Sequence, residues 1–347
     1  MCAKLQNTLI SLFSRSACAS IARMFFGSGI PIFMLHRMHD KNDMTLAESA
    51  TSDTYLRQCL TYLADNHYSF LSLRELVHAL IQKRSLPRKS VVFTMDDGFE
   101  DQPRIAAPVF REFDCPVTIF LITGMLDKKL WPWDDRVAHM MNETQQQSIS
   151  IKIGDSSYHF SMNSKQEKRI ARRTLQDVIK SVPFNQLDTI LHQLESSTRI
   201  NITDTPPSKY KPLTWELVRQ YEKEGIEFSA HTISHPILTK LDTDSMKREI
   251  LGSWQRVNEE LTNPCPVFCY PTGRYCDFGW REIKYLRELG FLGGVSTIPA
   301  QVRPEMMNQY YQYSLPRYSL PKSFDEFKLY CIWMEYVKER NLRFWPR

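Results

Sequence analysis

Short apolar runs alternate with amphipathic stretches along most of this 347-residue chain. The runs at 31–38, 91–95 and 116–123 are rich in β-branched and aromatic residues, as buried strands are. The stretches between them repeat apolar residues at three- and four-residue spacing, which is typical of helices that pack on a sheet. This alternation predicts parallel strands joined by crossover helices.

The same alternation returns in the second half of the chain, so that six or seven strand–helix units are predicted in all. Ser52 stands where a helix cap is expected, and Gly225 and Gly290 stand where helices should end. The pattern favours a single α/β domain, either a barrel or an open sheet, over two domains. The predicted helices cover 52–73, 73–84, 105–113, 214–225, 244–262 and 280–290, and the later strands cover 226–231, 266–273 and 291–297.

Residues 127–210 interrupt this alternation. They contain two short segments, 148–154 and 158–162, that are suited to pair as a hairpin. A charged helical stretch runs from Lys165 to about Leu194. We interpret the segment as a large insertion over one end of the domain.

The predicted domain at 30–322 is flanked by two segments of different character. The first, 1–29, has apolar residues at helical spacing and three basic residues without an acidic one. It is expected either to dock on the body of the protein or to lie shallowly on a membrane surface. No apolar run in it reaches the ~18 residues of a spanning helix or the length of a secretory signal. The last segment, 323–347, predicts a helix that ends in a basic, aromatic tail.

Composition and charge limit the classes of function. Hydrophobic residues make up 42% of the chain and charged residues 24%, which is ordinary for a globular protein with a large core. The net charge of +5 is too weak, without basic residues interleaved with aromatics, to indicate a nucleic-acid partner. The eight cysteines form no C-x-x-C pair and are expected to be reduced and structural.

Candidate chemistry lies where the predicted strands end. Asp96, Asp97 and Gly98 directly follow one strand, and histidines or a turn follow three others. Because ligands bind at the carboxyl ends of parallel strands, we expect these residues to share one mouth. Gly98 is expected to turn the backbone so that both carboxylates face the site. The residues at these strand ends are His36, Asp96, Asp97, His231, His235 and the turn at 270–273.

The spacing of His231 and His235 adds a metal to this picture. Residues four apart put both rings on one face of a helical turn, and two imidazoles with one carboxylate leave an open position on a tetrahedral metal. A divalent cation would also neutralise one of the two adjacent aspartates. Each feature alone is more often a loop, a surface pair or a buried histidine, but their coincidence at strand ends favours a catalytic metal site. The donor set suits zinc, cobalt, nickel and iron alike.

Several segments resemble motifs of the polysaccharide deacetylases of the NodB-homology type, which are carbohydrate esterase family 4-like. "FTMDDGFED" is similar to the first motif, "HTISHPIL" to the second and "CYPTGRY" to the third. "FMLHRM" resembles a histidine-containing stretch that precedes the first motif in one branch of the family. The resemblance covers roughly 30–320 and implies a distorted (β/α)7-type barrel with a helical and hairpin insertion.

The resemblance also implies roles for individual residues. Asp96 matches the catalytic base, and Asp97, His231 and His235 match the ligands of a divalent metal, with Zn²⁺ expected first. No histidine follows His235, so the general acid found late in many relatives has no counterpart here. His36 matches the histidine that supplies this acid in the branch with the N-terminal stretch.

The chain departs from the family pattern near the third motif. Thr272 stands where an aromatic ring is common, and the arginine usual ahead of the motif is absent, so Arg317 or Arg274 is expected to orient Asp96. Tryptophans in the insertion, together with Asp134 and Asp135, either line the cleft or pack the insertion. The substrate-binding candidates are Tyr270, Pro271, Gly273, Trp131, Trp133 and Arg317.

The activity implied is metal-dependent removal of N-acetyl groups from an amino sugar in a bacterial polysaccharide, lipopolysaccharide or lipid-linked glycan. Two alternatives are a catalytically silent glycan-binding module and a deacylase of a small non-sugar amide. The mild positive charge and the amphipathic N-terminal segment further suggest a cytoplasmic protein with peripheral contact to the inner membrane. The partner is therefore expected to be an N-acetylated glycan and not a nucleic acid, and the sequence leaves the oligomeric state open.

Overall fold

The structure is a computed structural model that describes residues 29–40, 50–203 and 205–332. The N-terminal helix predicted at 1–29 and most of the C-terminal segment predicted at 323–347 lie outside the described residues. Within them, no helix combines the length and the apolar composition that crossing a membrane requires.

Strands occur along the whole described chain, and all but one pair run parallel. They are β1 (Ile32–Leu35), β2 (Met38–His39), β3 (Thr51–Ser52), β4 (Ser69–Phe70), β5 (Ser90–Met95), β6 (Val117–Leu121), β7 (Ser148–Ile153), β8 (Ser156–Ser161), β9 (Glu227–Ala230), β10 (Val267–Cys269), β11 (Gly293–Val295) and β12 (Tyr318–Ser319).

Helices connect most of these strands. They are α1 (Asp53–Asp65), α2 (Leu73–Ile81), α3 (Asp101–Glu112), α4 (Thr123–Leu126), α5 (Trp133–Glu143), α6 (Lys165–Ser181), α7 (Leu187–Thr198), α8 (Trp215–Lys223), α9 (Thr243–Glu260), α10 (Trp280–Glu288), α11 (Gln309–Gln312) and α12 (Phe324–Ile332).

Seven parallel strands close into a distorted barrel. β12, β1, β5, β6 and β9 lie side by side in that order, and β10 pairs with β11. The step from β9 to β10 is bridged by single bonds, such as the Ser229 hydroxyl donating to the Val267 carbonyl at 2.7 Å. A bridge between Val295 and Leu315 leads from β11 towards β12 and completes the circuit. The predicted (β/α)7-type barrel is confirmed, and the irregular β9–β10 step is its main distortion.

Successive side chains of β5 point alternately to two different parts of the core. Phe93 and Met95 pack with the residues under the outer helices, whereas Val92 packs with the barrel-interior cluster. Thr94 is on the same side as Val92 and is fully buried. Asp96 continues this inward-facing series, so the strand itself places a carboxylate at the mouth of the barrel.

The insertion forms a layer with a hydrophobic core of its own. β7 and β8 pair as the antiparallel hairpin that the sequence predicts. The helices α5, α6 and α7 pack on it around Val137, Met140 and Leu175. The helical stretch predicted from Lys165 to about Leu194 is present as two helices, because the chain leaves helical geometry at Val182 and Pro183 and a second helix begins at Leu187.

One further element differs from its prediction. Ser52 caps α1 as expected, and its Oγ accepts the Tyr55 backbone N–H at 3.1 Å. The helix ends at Asp65, well before the predicted end at residue 73. His67 has a positive φ of 57° that ends the helical path, and β4 then pairs with β5 at the edge of the sheet.

The cysteines in the described residues are all free. Most are buried, and Cys276 is the exposed one. This agrees with the prediction of reduced, structural cysteines for this part of the chain.

Candidate active site

The carboxyl ends of β1, β5, β9 and β10 meet at one edge of the barrel and bring the predicted histidines and aspartates together. Nε2 of His231 lies 3.6 Å and Nε2 of His235 lies 3.8 Å from Oδ1 of Asp97. Nε2 of His36 lies 3.9 Å from Oδ2 of Asp96. Residues from three distant segments therefore share one centre, as the strand-end argument predicts.

The backbone after β5 turns sharply so that both carboxylates reach this centre. In an extended strand Asp97 would face away from Asp96. Asp97 and Gly98 instead have φ values of 85° and 87°. Residues with a side chain rarely adopt such values, and this kind of strain concentrates at functional sites. The turn expected at Gly98 is present, and Asp97 itself takes part in it.

Replacing Gly98 by alanine is expected to lower the free energy of unfolding by about 2–4 kcal/mol, from left-handed backbone strain and overpacking together. A Cβ at this position would lie 2.8 Å from Cδ2 of Leu121. Gly154 is a matched control, since its φ is also positive but a Cβ there meets nothing within 4 Å. Urea denaturation should give a clearly smaller loss for Gly154→Ala, and equal losses would contradict the packing argument.

The two metal-ligand candidates after β9 lie on a tight turn that is not helical. The helical turn expected from their spacing is wrong, because Thr232 and His235 both have positive φ values, of 66° and 60°. Oγ1 of Thr232 accepts the His235 N–H at 3.0 Å. The carboxylate of Glu249 in α9 accepts two more backbone N–H groups of the turn at 2.8 and 2.9 Å. These bonds hold the His231 and His235 rings with their centroids 4.8 Å apart.

The donor set of Asp97, His231 and His235 fits a divalent metal ion. One ligand atom from each lies within 4.8 Å of the others. Nδ1 of His231 is 2.8 Å from the carbonyl oxygen of Cys269, so a proton on Nδ1 leaves the Nε2 lone pair for a metal. Burial, with His235 nearby, lowers the pKa of His231 to about 3. The ring is therefore neutral, as a metal ligand must be.

Asp97 stands in a surplus of negative charge. Burial raises the pKa of Asp97 well above its usual range, and the neighbouring carboxylates of Asp134, Asp96 and Asp135 raise it further. A cation beside Asp97 would offset both the burial and the repulsion. The electrostatics of the centre therefore agree with its donor set.

Asp96 forms an ion pair with a buried arginine instead. The Arg317 guanidinium donates to both carboxylate oxygens of Asp96 at 2.7 Å, and neither side chain is appreciably exposed. Burial alone would raise the pKa of Asp96, but the Arg317 charge and hydrogen bonds hold it well below its usual range. Arg274, the other candidate for this role, pairs with Asp277 instead.

The position of Arg317 corrects one prediction and excludes a second metal set. Its guanidinium is fully buried, so it cannot bind substrate directly as expected. Asp96, His231 and Cys269 also offer ligand atoms within 4.8 Å of one another. However, the Arg317 guanidinium also lies 3.2 Å from Sγ of Cys269. Its positive charge already stands beside these three residues and disfavours a metal cation there.

His36 reaches the centre from the end of β1. Nearly half of its side chain is exposed, at 46%, which leaves it accessible from the mouth. Two buried contacts fix its backbone: Gln102 donates to the carbonyl oxygens of both His36 and Asp96, and Arg37 pairs with Asp101. The ends of β1 and β5 are therefore tied to each other and to α3.

The turn after β10 presents no exposed aromatic ring at the mouth of the barrel. Tyr270 is 1% exposed and stacks on Phe278 with centroids 4.0 Å apart, so its ring does not line the mouth, and the substrate-binding role of this turn stays a prediction. Pro271 and Gly273 are also buried. Gly273 has a φ of 63°, and a Cβ there would lie 3.0 Å from the Thr297 nitrogen.

The two tryptophans of the insertion are packed against other side chains and do not project into solvent. Trp131 is 6% exposed and lies against Tyr210 and His139. Trp133 belongs to the core of the insertion and borders a small cavity beside Phe184. Of the two alternatives that the sequence left open, packing therefore describes both rings.

Some residues that shape the site were missed from sequence. Gln102 and Glu249 act mainly through backbone groups of other segments, and a lone glutamine or glutamate in a helix carries no signal of this. Asp277 is buried and accepts from Thr272 and Arg274. An acid two residues after the third motif was the one available hint.

Comparisons with known proteins agree with this geometry. A family model described as polysaccharide deacetylase matches residues 184–291. YxkH of Bacillus subtilis (strain 168), which carries the name of a polysaccharide deacetylase, is 28% identical over 123 residues. This match covers 35% of the chain and 41% of the curated relative's own length.

Solved structures extend the likeness over most of the fold. The Streptococcus pyogenes deacetylase PplD in complex with acetate has a TM-score of 0.56 and 21% identity, over 88% of this chain and 98% of that one. IcaB from Ammonifex degensii has a TM-score of 0.53 and 16% identity, over 88% and 97%. A de-N-acetylase from Aggregatibacter actinomycetemcomitans has a TM-score of 0.53 and 14% identity, over 87% and 99%. At these identities the structures show a shared fold.

The family resemblance read from the motifs is thereby confirmed. The residues matched by the family model include the second and third motifs, and the shared fold extends over 88% of the chain. Membership in the branch with the N-terminal histidine stretch stays a prediction, as do the individual roles of the site residues.

Proposed function

We propose that this member of the polysaccharide deacetylase family removes N-acetyl groups from an amino sugar in a bacterial glycan and needs a divalent metal ion to do so. The observation that carries the proposal is the convergence of Asp97, His231 and His235 within 4.8 Å, beside an Asp96 that takes no part in that set. A carboxylate outside the metal ligands keeps lone pairs that can take a proton, here while it also accepts from Arg317.

The chain's own residues supply acid, base and orientation. When bound by Asp97, His231 and His235, a divalent metal would polarise the amide carbonyl and make water more acidic. Asp96 takes a proton from the attacking water as the oxygen of that water bonds to the amide carbon. His36 gives a proton to the nitrogen as the carbon–nitrogen bond breaks. The products are acetate and a free amine on the sugar.

Arg317 keeps Asp96 oriented and ionised, so that Asp96 can act as the base in this step. Its two hydrogen bonds hold the Asp96 carboxylate in one orientation and keep it ionised. The PplD structure holds acetate, which is the acid product of such a reaction. We extend that chemistry to this chain because it has the same fold and a carboxylate–histidine centre at its mouth.

The chemistry of the donor set favours zinc, although cobalt, nickel and iron have suitable coordination as well. We further propose a surface polysaccharide, lipopolysaccharide or lipid-linked glycan as substrate, handled at the cytoplasmic face of the inner membrane. The net charge of +5 suits an anionic membrane surface. Membrane fractionation of the full chain tests this location, and recovery in the periplasm would contradict it.

Removing the metal is expected to abolish acetate release from N-acetylated oligosaccharides, and adding Zn²⁺ or Co²⁺ should restore it. The reason is that the imidazoles and the carboxylate provide no strong electrophile by themselves. The measurement is acetate production by purified protein before and after treatment with a chelator, with the metal content determined in parallel.

The same assay separates the alternatives. A silent glycan-binding module would bind the oligosaccharides equally well with and without metal and would release no acetate. A deacylase of small amides would act faster on a non-sugar acetamide than on any oligosaccharide. Acetate release that survives both chelation and Asp96→Asn would refute the proposed function.

A further inference from the structure

The Nδ1 atoms of the two histidine ligand candidates, His231 and His235, have different surroundings. Nδ1 of His231 has a partner at 2.8 Å, the carbonyl oxygen of Cys269. Nδ1 of His235 is buried and has no hydrogen-bond partner among the described residues. The His235 side chain is only 8% exposed, and Oδ2 of Asp134 lies 3.9 Å from this nitrogen.

This unpartnered nitrogen matters because of what the other nitrogen does. If Nε2 of His235 gives its lone pair to a metal, Nδ1 must carry the proton and becomes a donor. A separation of 3.9 Å is too long for a direct hydrogen bond. A small rotation of Asp134 would bring the two atoms within bonding distance, and its side chain, which is 34% exposed, has room to turn.

The insertion holds Asp134 in this place. Asp134 lies in the first turn of α5, directly after Trp133, which packs in the core of the insertion. Its Oδ1 accepts the Asp135 N–H at 3.2 Å, which leaves Oδ2 towards His235. Gln176 of α6 donates to the Asp134 carbonyl oxygen at 3.0 Å. A carboxylate from outside the barrel is thus built into the rim of the metal centre.

We propose that Asp134 is a positioning residue of the metal centre, in which Oδ2 accepts a hydrogen bond from Nδ1–H of His235. The insertion then sets the tautomer and the orientation of one ligand, while the barrel sets the other through Cys269. The inference rests on the proposed function to the extent that Asp97, His231 and His235 hold a metal.

The first test is metal affinity, measured by competition with a chromophoric chelator for Zn²⁺ and for Co²⁺. Asp134→Ala is expected to weaken binding by about 10–100-fold, the usual cost of losing such a partner. Asp134→Asn should lose less, because its amide oxygen can still accept, and it serves as a second variant if alanine impairs folding.

Two controls separate this pairing from general charge effects. Asp155→Ala removes an exposed charge from the hairpin turn of the same insertion and should leave metal affinity unchanged. Asp135→Ala removes a carboxyl group from the same helical turn as Asp134. If Asp135→Ala weakens binding as much as Asp134→Ala, the effect is one of charge alone and the proposal is overturned.

The second test needs no metal. In metal-free protein labelled with ¹⁵N-histidine, the imidazole nitrogen shifts report which nitrogen of His235 carries the proton. The wild type should show the Nδ1–H tautomer, and Asp134→Ala should show a mixture. An unchanged tautomer together with unchanged metal affinity would refute the role of Asp134. A wild type that binds no metal would refute the proposed function, and the tautomer measurement would still decide the contact.

Discussion

Asp96→Asn is expected to reduce kcat for acetate release by about 10²–10⁴-fold, the range that a lost general base produces. The amide of asparagine cannot take the proton from the attacking water. Asp96 lies outside the set of Asp97, His231 and His235, so the metal content of the variant should stay close to that of the wild type. The measurement is acetate release at saturating substrate with metal supplied in excess.

Asp127→Asn is a matched control for this variant. Asp127 is also a largely buried carboxylate that accepts from an arginine, Arg256, at 2.9 Å, but it lies at the end of α4, outside the metal centre. Its kcat should stay near that of the wild type. If Asp96→Asn retained most of its kcat while keeping its metal, Asp96 would not be the base.

Arg317→Met is expected to lower the free energy of unfolding by about 3–5 kcal/mol, because it leaves the Asp96 carboxylate buried without a partner. The double variant Arg317→Met/Asp96→Asn removes the charge as well and should recover part of this loss. Urea denaturation of the two single variants and the double variant measures the coupling. Arg256→Met is the control, since that arginine is partly exposed and its ion pairs should contribute less.

The pH dependence of the Arg317 effect has a definite sign. The pKa of Asp96 is lower in the folded protein than the value of about 3.9 expected for an unfolded chain. The pair therefore contributes its full stability above pH ~4 and loses it as the pH falls through the folded pKa. The difference between wild type and Arg317→Met should shrink in strong acid. A difference that is constant from neutral to acid pH would argue against the ion pair as its cause.

The parts of the site that the sequence predicted are those governed by local rules. The two-residue period of β5 indicates that Asp96 faces inward, and the glycine after Asp97 indicates a turn. Parallel strands carry their active residues at one edge, so the convergence with His231 followed from the order of the elements. These arguments use only neighbours in the chain or the general direction of strands.

The parts that were wrong or missed depend on which distant side chain fills a buried space. Arg317 was expected at the substrate and also, with Arg274 as the alternative, beside Asp96; its guanidinium donates to the buried Asp96 carboxylate. The spacing of His231 and His235 is the same on a helix and on a turn with two positive φ values. Thr232 Oγ1 and the carboxylate of Glu249 in α9 hold the turn. The local pattern left the choice between Arg317 and Arg274 open and gave no sign of Glu249.

The backbone of this centre limits how it can be transplanted. Asp97, Thr232, His235 and Thr272 all have positive φ values, and each such residue costs on the order of 1–3 kcal/mol that the surrounding structure must offset. An engineer who grafts only the side chains onto another barrel would obtain the right chemical groups pointing in the wrong directions. The unit to be moved is the set of turns, together with the helices that clamp them.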